Sequence, residues 1–278
     1  MSVRRDSGGF PPTLKRLGQH FLTDQSALEH IVDALAPTQQ DTVVEIGPGR
    51  GALTQLLLPR AGRVVAVELD RVLASMLEER YADDPRVTIV ERDILKTPLG
   101  EIGGETFLLV GNVPYYITTP ILFHALAGAL PTRAVFLVQR EVAARAMAPA
   151  GSKVYGALSV NLQVLTDIQR MFDIPPGAFR PPPRVDSTVI LLRPLATPLI
   201  TRPEQRAFQH FVQSLFGQRR KQLGTILRSL APATSPNPQP STVNPVFAAL
   251  GIDPADRPER LTPAQFVALF RAVRQGEG

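Results

Sequence analysis

Three short segments of this 278-residue chain carry side chains that chemistry could use. The first runs Glu45-Ile46-Gly47-Pro48-Gly49-Arg50-Gly51-Ala52 after an apolar stretch. Glycines such as Gly47 and Gly49 in a strand-to-helix turn let the backbone approach a ligand with no Cβ in the way. The spacing is G-x-G-x-G rather than the dinucleotide G-x-G-x-x-G, and Pro48 removes an N–H that a pyrophosphate could have used. The turn therefore favours a ribose and amino-acid edge over a diphosphate. The second segment is a pair of acids at the ends of later apolar runs. Glu68, 21 residues after Gly47, can accept both hydroxyls of a ribose, and Asp93 can hold an adenine amino group. Together these features favour S-adenosylmethionine over a nicotinamide cofactor. The third is Gly111-Asn112-Val113-Pro114-Tyr115-Tyr116. Here the Asn112 side-chain oxygen and the Pro114 carbonyl can accept the two hydrogens of an exocyclic amine, and Tyr115 offers a ring for base stacking. Methyl transfer from a sulfonium mainly needs the amine positioned and water excluded, not a strong base. An adenine amine held by two acceptors can be methylated twice before its last N–H is gone. No metal is expected, because His20, His30, His124 and His210 show no ligand spacing and Cys is absent.

These residues need a scaffold that brings strand ends together. Between Asp41 and Val138, β-branched runs at 42–46, 64–67, 87–90, 107–110 and 135–138 alternate with helical patterns. That alternation predicts a parallel sheet covered on both faces, with ligands outside the carboxyl ends of its strands. Thr119-Pro120 reads as an N-cap with Pro at the first helical position, and Val185 to Leu192 as a later strand that could close an edge. Beyond about Pro194 the character changes. Phe208, Phe211, Val212 and Leu215 share one helical face, and Leu223, Ile226, Leu227 and Leu230 another. Ala231 to Ser241 is a Pro/Ser-rich connector, and Thr262-Pro263-Ala264-Gln265 is a capping box opening a last helix. The expected organisation is an α/β, Rossmann-like domain over 1–197 that binds S-adenosylmethionine and carries catalysis, followed by a small all-helical domain over 198–278.

Composition bounds the alternatives. With 44% apolar residues the chain can bury a core, and with no Cys a disulfide framework is excluded. No apolar run approaches the roughly 18–20 residues of a membrane span, and the start of the chain leads into no apolar signal core. A soluble, cytoplasmic monomer is expected. The basic residues are 26 Arg and 4 Lys, which coding bias or heat adaptation would each produce. The net charge of +5 with pI near 10 hints at a nucleic-acid partner. That excess is unevenly placed: residues 198–278 hold 10 basic and 5 acidic residues, whereas 41–105 hold 8 and 12. Arg219-Arg220-Lys221 reads equally as a solvated helix face or a phosphate-binding patch.

Taken together, the motifs resemble those of the 16S rRNA adenine N6,N6-dimethyltransferase family. Lys15-Arg16-Leu17-Gly18-Gln19-His20-Phe21-Leu22 is similar to its N-terminal element, and the segments around Gly47 and Asn112 to its cofactor and adenine motifs. Gly151-Ser152-Lys153-Val154-Tyr155-Gly156, Phe179-Arg180-Pro181-Pro182-Pro183-Arg184-Val185-Asp186-Ser187 and Phe216-Gly217-Gln218-Arg219-Arg220-Lys221 resemble three further stretches. The resemblance implies that His20 and Leu22 line the methionine side of S-adenosylmethionine. It likewise places Gly47 on the cofactor, Glu68 on the ribose, Asp93 on the adenine, and Asn112 between cofactor and target amine. Tyr115 and Phe179 would sandwich a flipped-out adenine. The implied product besides S-adenosylhomocysteine is a pair of adjacent dimethyladenosines in a hairpin loop near the 3′ end of 16S rRNA. The implied setting is the late-assembling small (30S) ribosomal subunit, with the helical domain over 198–278 binding rRNA through Arg219, Arg220 and Lys221. Tyr116 departs from the family, which often has Asn there, as does Val113, where Leu is frequent.

Two other readings compete. A large-subunit rRNA adenine methylase shares the site motifs, but the F-x-Q-R-R-K element and the capped last helix argue against it. A non-catalytic assembly or nucleic-acid-binding factor with a relict site is opposed by Gly47, Glu68, Asp93 and Asn112 all being present.

Overall fold

The computed structural model describes residues 19–230 and 246–275. Residues 15–18 of the N-terminal element and the Pro/Ser-rich connector at 231–241 lie outside the described residues. Two compact units divide the chain. One comprises the described parts of Met1–Ala143 with Asp167–Pro194; the other comprises Ala144–Thr166 with the described parts of Leu195–Gly278.

The first unit is built on a seven-stranded sheet. In chain order its strands are β2 (Thr42–Ile46), β3 (Arg63–Glu68), β4 (Val87–Glu91), β5 (Leu108–Asn112), β6 (Arg133–Gln139), β7 (Thr166–Ile174) and β9 (Ser187–Pro194). They lie in the order β4-β3-β2-β5-β6-β9-β7. The first five pair in parallel, and β9 runs antiparallel to β6. The order reverses direction on either side of β2, which puts the ends of β2, β3 and β5 around one crevice, where doubly wound sheets bind ligands. Side chains alternate across the sheet. Val43, Val64, Leu108, Val135 and Val189 join one core with Leu28, Ile31, Val32 and Leu35 of α1 (Gln25–Leu35) and with Leu53 and Leu57 of α2 (Ala52–Leu57). Val44, Val65, Leu109, Phe136 and Ile190 on the opposite face are buried as well. Both faces are therefore covered, as continuous apolar runs require. The remaining helices of this region are α3 (Arg71–Arg80), α4 (Leu99–Gly103), α5 (Thr118–Ala125) and α6 (Arg140–Ala146).

Three boundaries differ from the sequence expectation. The strand expected at an edge is internal: β9 sits between β6 and β7, and its run from Ser187 to Leu192 is buried throughout. The edge on that side is β7, whose polar and half-exposed residues hid it from any apolar pattern. α5 begins at Thr118 with Ile117 as its cap, so Pro120 is the third helical residue rather than the first. The Thr118 hydroxyl instead donates to the Pro114 carbonyl at 3.2 Å.

A division at 197 also fails to describe the units, because residues 144–166 fold with the C-terminal part. α7 (Ala157–Gln163) packs on α8 (Gln205–Gly217), and Tyr155 meets Phe216 edge-on at 6.1 Å. The Leu195 and Leu199 amides donate to the Leu165 and Val164 carbonyls, both at 2.9 Å. The second unit is otherwise helical, with α9 (Leu223–Leu230), α10 (246–250) and α11 (Pro263–Gln275). Phe208, Val212, Leu215, Leu223, Ile226, Leu227 and Phe266 form its apolar interior. The expected capping box is present: Gln265 N–H donates to the Thr262 hydroxyl at 3.3 Å, and Thr262 N–H to the Gln265 side chain at 3.0 Å. Among the described residues no helix is long and apolar enough to cross a membrane.

Candidate active site

A cavity of about 420 Å³ opens at the ends of β2, β3 and β5. The glycine turn after β2 forms one wall. Gly47 and Gly49 have φ of +68° and +57°, which L side chains rarely adopt, and a Cβ on Gly49 would lie 2.9 Å from the Phe21 ring. The turn is tied to the next strand by the carboxylate of Glu68. Glu68 Oε2 accepts from Gly49 N–H at 3.0 Å and Oε1 from Asp70 N–H at 2.9 Å. Burial raises the Glu68 pKa against the lowering effect of those two N–H groups. Asp93 sits after β4, where its carboxylate accepts from Leu95 N–H at 3.0 Å and leaves capacity toward the cavity it lines.

Asn112, at the end of β5, faces the same cavity. Its amide nitrogen donates to the His20 carbonyl at 3.2 Å, which leaves the side-chain oxygen as the acceptor. Tyr115 is held by a 2.6 Å hydrogen bond between its hydroxyl and Ser187 Oγ. Burial raises its pKa, so the ring serves as a neutral platform. His20 is anchored from the other side by a 2.8 Å contact between Nδ1 and the Pro181 carbonyl, and its imidazole stacks on Tyr115 with centroids 5.6 Å apart. Two layers at about 3.5 Å each need about 7 Å, so no base fits between these rings as they stand.

Two expected roles change. The Pro114 carbonyl already accepts from Ile117 N–H at 3.1 Å and from the Thr118 hydroxyl at 3.2 Å. Those bonds close the turn Tyr115–Ile117 and occupy both lone pairs of the oxygen. Phe179 is 0% exposed and belongs to the core of the first unit rather than to the cavity lining. The reason is a two-stranded pairing of β1 (Phe21–Leu22) with β8 (Phe179–Arg180), which sets Leu22 opposite Phe179 and turns the Phe179 ring inward. Leu22 itself lines the cavity, as do Gly47, Gly49, Glu68, Asp93, Asn112, Tyr115 and His20.

Three further lining residues carry no sequence expectation. Leu69, 51% exposed, and Ile94 supply apolar walls beside the two acids. Glu45 is a buried carboxyl whose Oε2 accepts from Thr54 Oγ1 at 2.6 Å; burial above all, with the nearby Glu68 charge, pushes its pKa up to about 7. A Glu inside the otherwise apolar run Thr42–Ile46 was the available signal.

In the second unit Arg219 donates from Nη2 to the Lys153 carbonyl at 2.8 Å and lies 3.6 Å from Glu259. Lys221 donates to Gln218 at 2.9 Å, and Arg220 is exposed. Among the described residues no group of three or more His, Asp or Glu could hold a metal ion.

Residues 13–270 match the family described as ribosomal RNA adenine dimethylase. The ribosomal RNA small subunit methyltransferase A of Aromatoleum aromaticum is 43% identical over 93% of this chain and 93% of its own. Among solved structures, a dimethyladenosine transferase from Plasmodium falciparum superposes with a TM-score of 0.76 at 26% identity, covering 90% of this chain and 96% of that one. The 23S rRNA methyltransferase ErmE superposes with a TM-score of 0.66, also at 26% identity, covering 92% and 100%.

Proposed function

The chain belongs to the ribosomal RNA adenine dimethylase family, and from that premise we propose that it dimethylates the N6 amines of two adjacent adenosines of 16S rRNA. The substrate is the small subunit late in its assembly, at a hairpin loop near the rRNA 3′ end. The 43% identity to a small-subunit enzyme, against 26% to a 23S enzyme, supports the small-subunit choice.

The cavity fits S-adenosylmethionine. Its glycine turn admits a close backbone approach, Glu68 and Asp93 bring acceptors to ribose and adenine, and Leu69 and Ile94 give the adenine apolar walls. His20 and Leu22 would border the methionine part. When bound, the cofactor supplies an electrophilic methyl group on a sulfonium.

The chain's own residues do the rest by orientation. The observation that carries this reading is the Asn112 amide, whose nitrogen is fixed on His20 so that its oxygen receives the target N–H. Tyr115, pinned by Ser187, fixes the plane of the base. After the first transfer one N–H remains for Asn112 to hold, and after the second none does, so the dimethylated base is released. Arg220 and Lys221 are exposed cations suited to rRNA phosphates.

Tritiated methyl transfer to undermethylated small subunits tests the assignment. Incorporation there is expected; incorporation only into naked 23S rRNA would assign the other substrate. Asn112→Ala should abolish transfer while subunit binding persists, and transfer at the wild-type rate would remove Asn112 from the amine.

A further inference from the structure

Two large apolar side chains lining the cavity are unusually exposed, Leu69 at 51% and Tyr116 at 58%. Leu69 has an occupant in the proposed function, the adenine of the cofactor. Tyr116 has none, because the target base is accounted for by Asn112 and Tyr115. Exposed apolar surface at the mouth of a cavity marks something that covers it.

The local geometry indicates what that is. Tyr115 and Tyr116 are successive residues of one tight turn, Tyr115–Ile117, closed by the two hydrogen bonds to the Pro114 carbonyl. With three residues per turn, their side chains leave the backbone about 120° apart. Tyr115 is drawn inward to Ser187, and Tyr116 is left on the rim beside it. A nucleotide strand that delivers one base to Tyr115 must carry its neighbouring base past Tyr116. A phenol ring is suited to that neighbour, since every base has a π-face to stack.

Resting on the rRNA reading above, we propose that Tyr116 is a stacking platform for the base adjacent to the target adenine. With two adjacent targets, Tyr116 takes one adenine while the other is at Asn112. The residue thereby couples recognition of the pair to the methylation of each member.

The test uses the full-length enzyme and undermethylated small subunits rebuilt with a synthetic 3′ rRNA segment that carries either adenine or no base beside the target. Tyr116→Ala should raise KM on intact subunits by about 5- to 150-fold, which is about 1–3 kcal/mol at 1.4 kcal/mol per tenfold. Removing the neighbouring base should cost the wild type a similar factor and cost Tyr116→Ala nothing further. Tyr116→Phe should keep the wild-type KM, and cofactor affinity should be unchanged in both variants. A wild-type KM for Tyr116→Ala overturns the proposal, as does a base-removal penalty that persists in that variant. No transfer by the wild type to intact subunits overturns the rRNA reading instead.

Discussion

Replacing Glu45 by Gln should remove a pH dependence from the stability of the sheet unit. Burial holds the Glu45 carboxyl at about 7 in the folded chain, against an ordinary value of 4.5. A carboxyl so raised binds its proton more tightly when folded than when unfolded. Between 4.5 and about 7 the folded state therefore carries more protons, and stability falls as pH rises through that window. The penalty is nearly absent below the window and complete above it. At about 1.4 kcal/mol per pKa unit it reaches about 3 kcal/mol by pH 8, and is under about 1 kcal/mol at pH 5. The Gln side chain keeps an oxygen for the Thr54 hydroxyl and cannot ionise. Any offset caused by its new amide is the same at every pH, so the quantity to read is the difference between the two ends of the range. Urea denaturation followed by far-UV circular dichroism suits a chain without Trp. The stability gap between Glu45→Gln and wild type should widen in favour of the variant by about 2–3 kcal/mol from pH 5 to pH 8. Parallel pH profiles would refute the reasoning, since the group whose proton is at issue would then titrate alike in both states.

Phe179→Ala should cost about 3–5 kcal/mol, as for a large aromatic removed from a core, and lower the urea midpoint; an unchanged midpoint would place the ring outside the core. Arg220→Ala should reduce the salt dependence of subunit binding by about one phosphate contact. Arg219→Ala should leave that slope alone, because its guanidinium is engaged by the Lys153 carbonyl and Glu259. Equal slope changes for the two variants would put Arg219 on the rRNA as well.

Much of the sheet was legible because parallel strands buried on both faces are written as unbroken β-branched runs. The spans Arg63–Glu68 and Arg133–Gln139 are buried in this way along their centres, whereas Val87–Glu91 keeps β-branched residues although it is half-buried at the opposite edge. β7 escaped it because an edge strand need not be apolar, and the sequence Thr-Asp-Ile-Gln-Arg-Met-Phe-Asp-Ile alternates without a clear inner face. α1 went unread although Ala27, Leu28, Ile31, Val32 and Leu35 repeat at helical spacing behind an Asp24 cap. The return of residues 144–166 to the helical unit could not be read at all. It depends on which of two apolar surfaces Leu158 and Tyr155 join, and both choices satisfy the same local pattern.

The same distinction runs through the active site. On the proposed reading, its cofactor side is largely local: Gly47 follows β2, Glu68 ends β3 and Asp93 lies just past β4, so spacing along the chain fixes their place in the crevice. Its substrate side is assembled from positions far apart in sequence. The orientation of the Asn112 amide depends on a carbonyl 92 residues away, and His20 is set by Pro181, 161 residues away. Phe179 turns inward because Leu22 pairs with it across β1 and β8. A short motif can therefore name the acceptor and the stacking ring, but not which atom of the amide is free or which aromatic faces the base. Those choices are made by the pairing of Phe21–Leu22 with Phe179–Arg180, and any change that loosens this pairing should disturb the target base and, through His20 and Leu22, the methionine end of the cofactor as well.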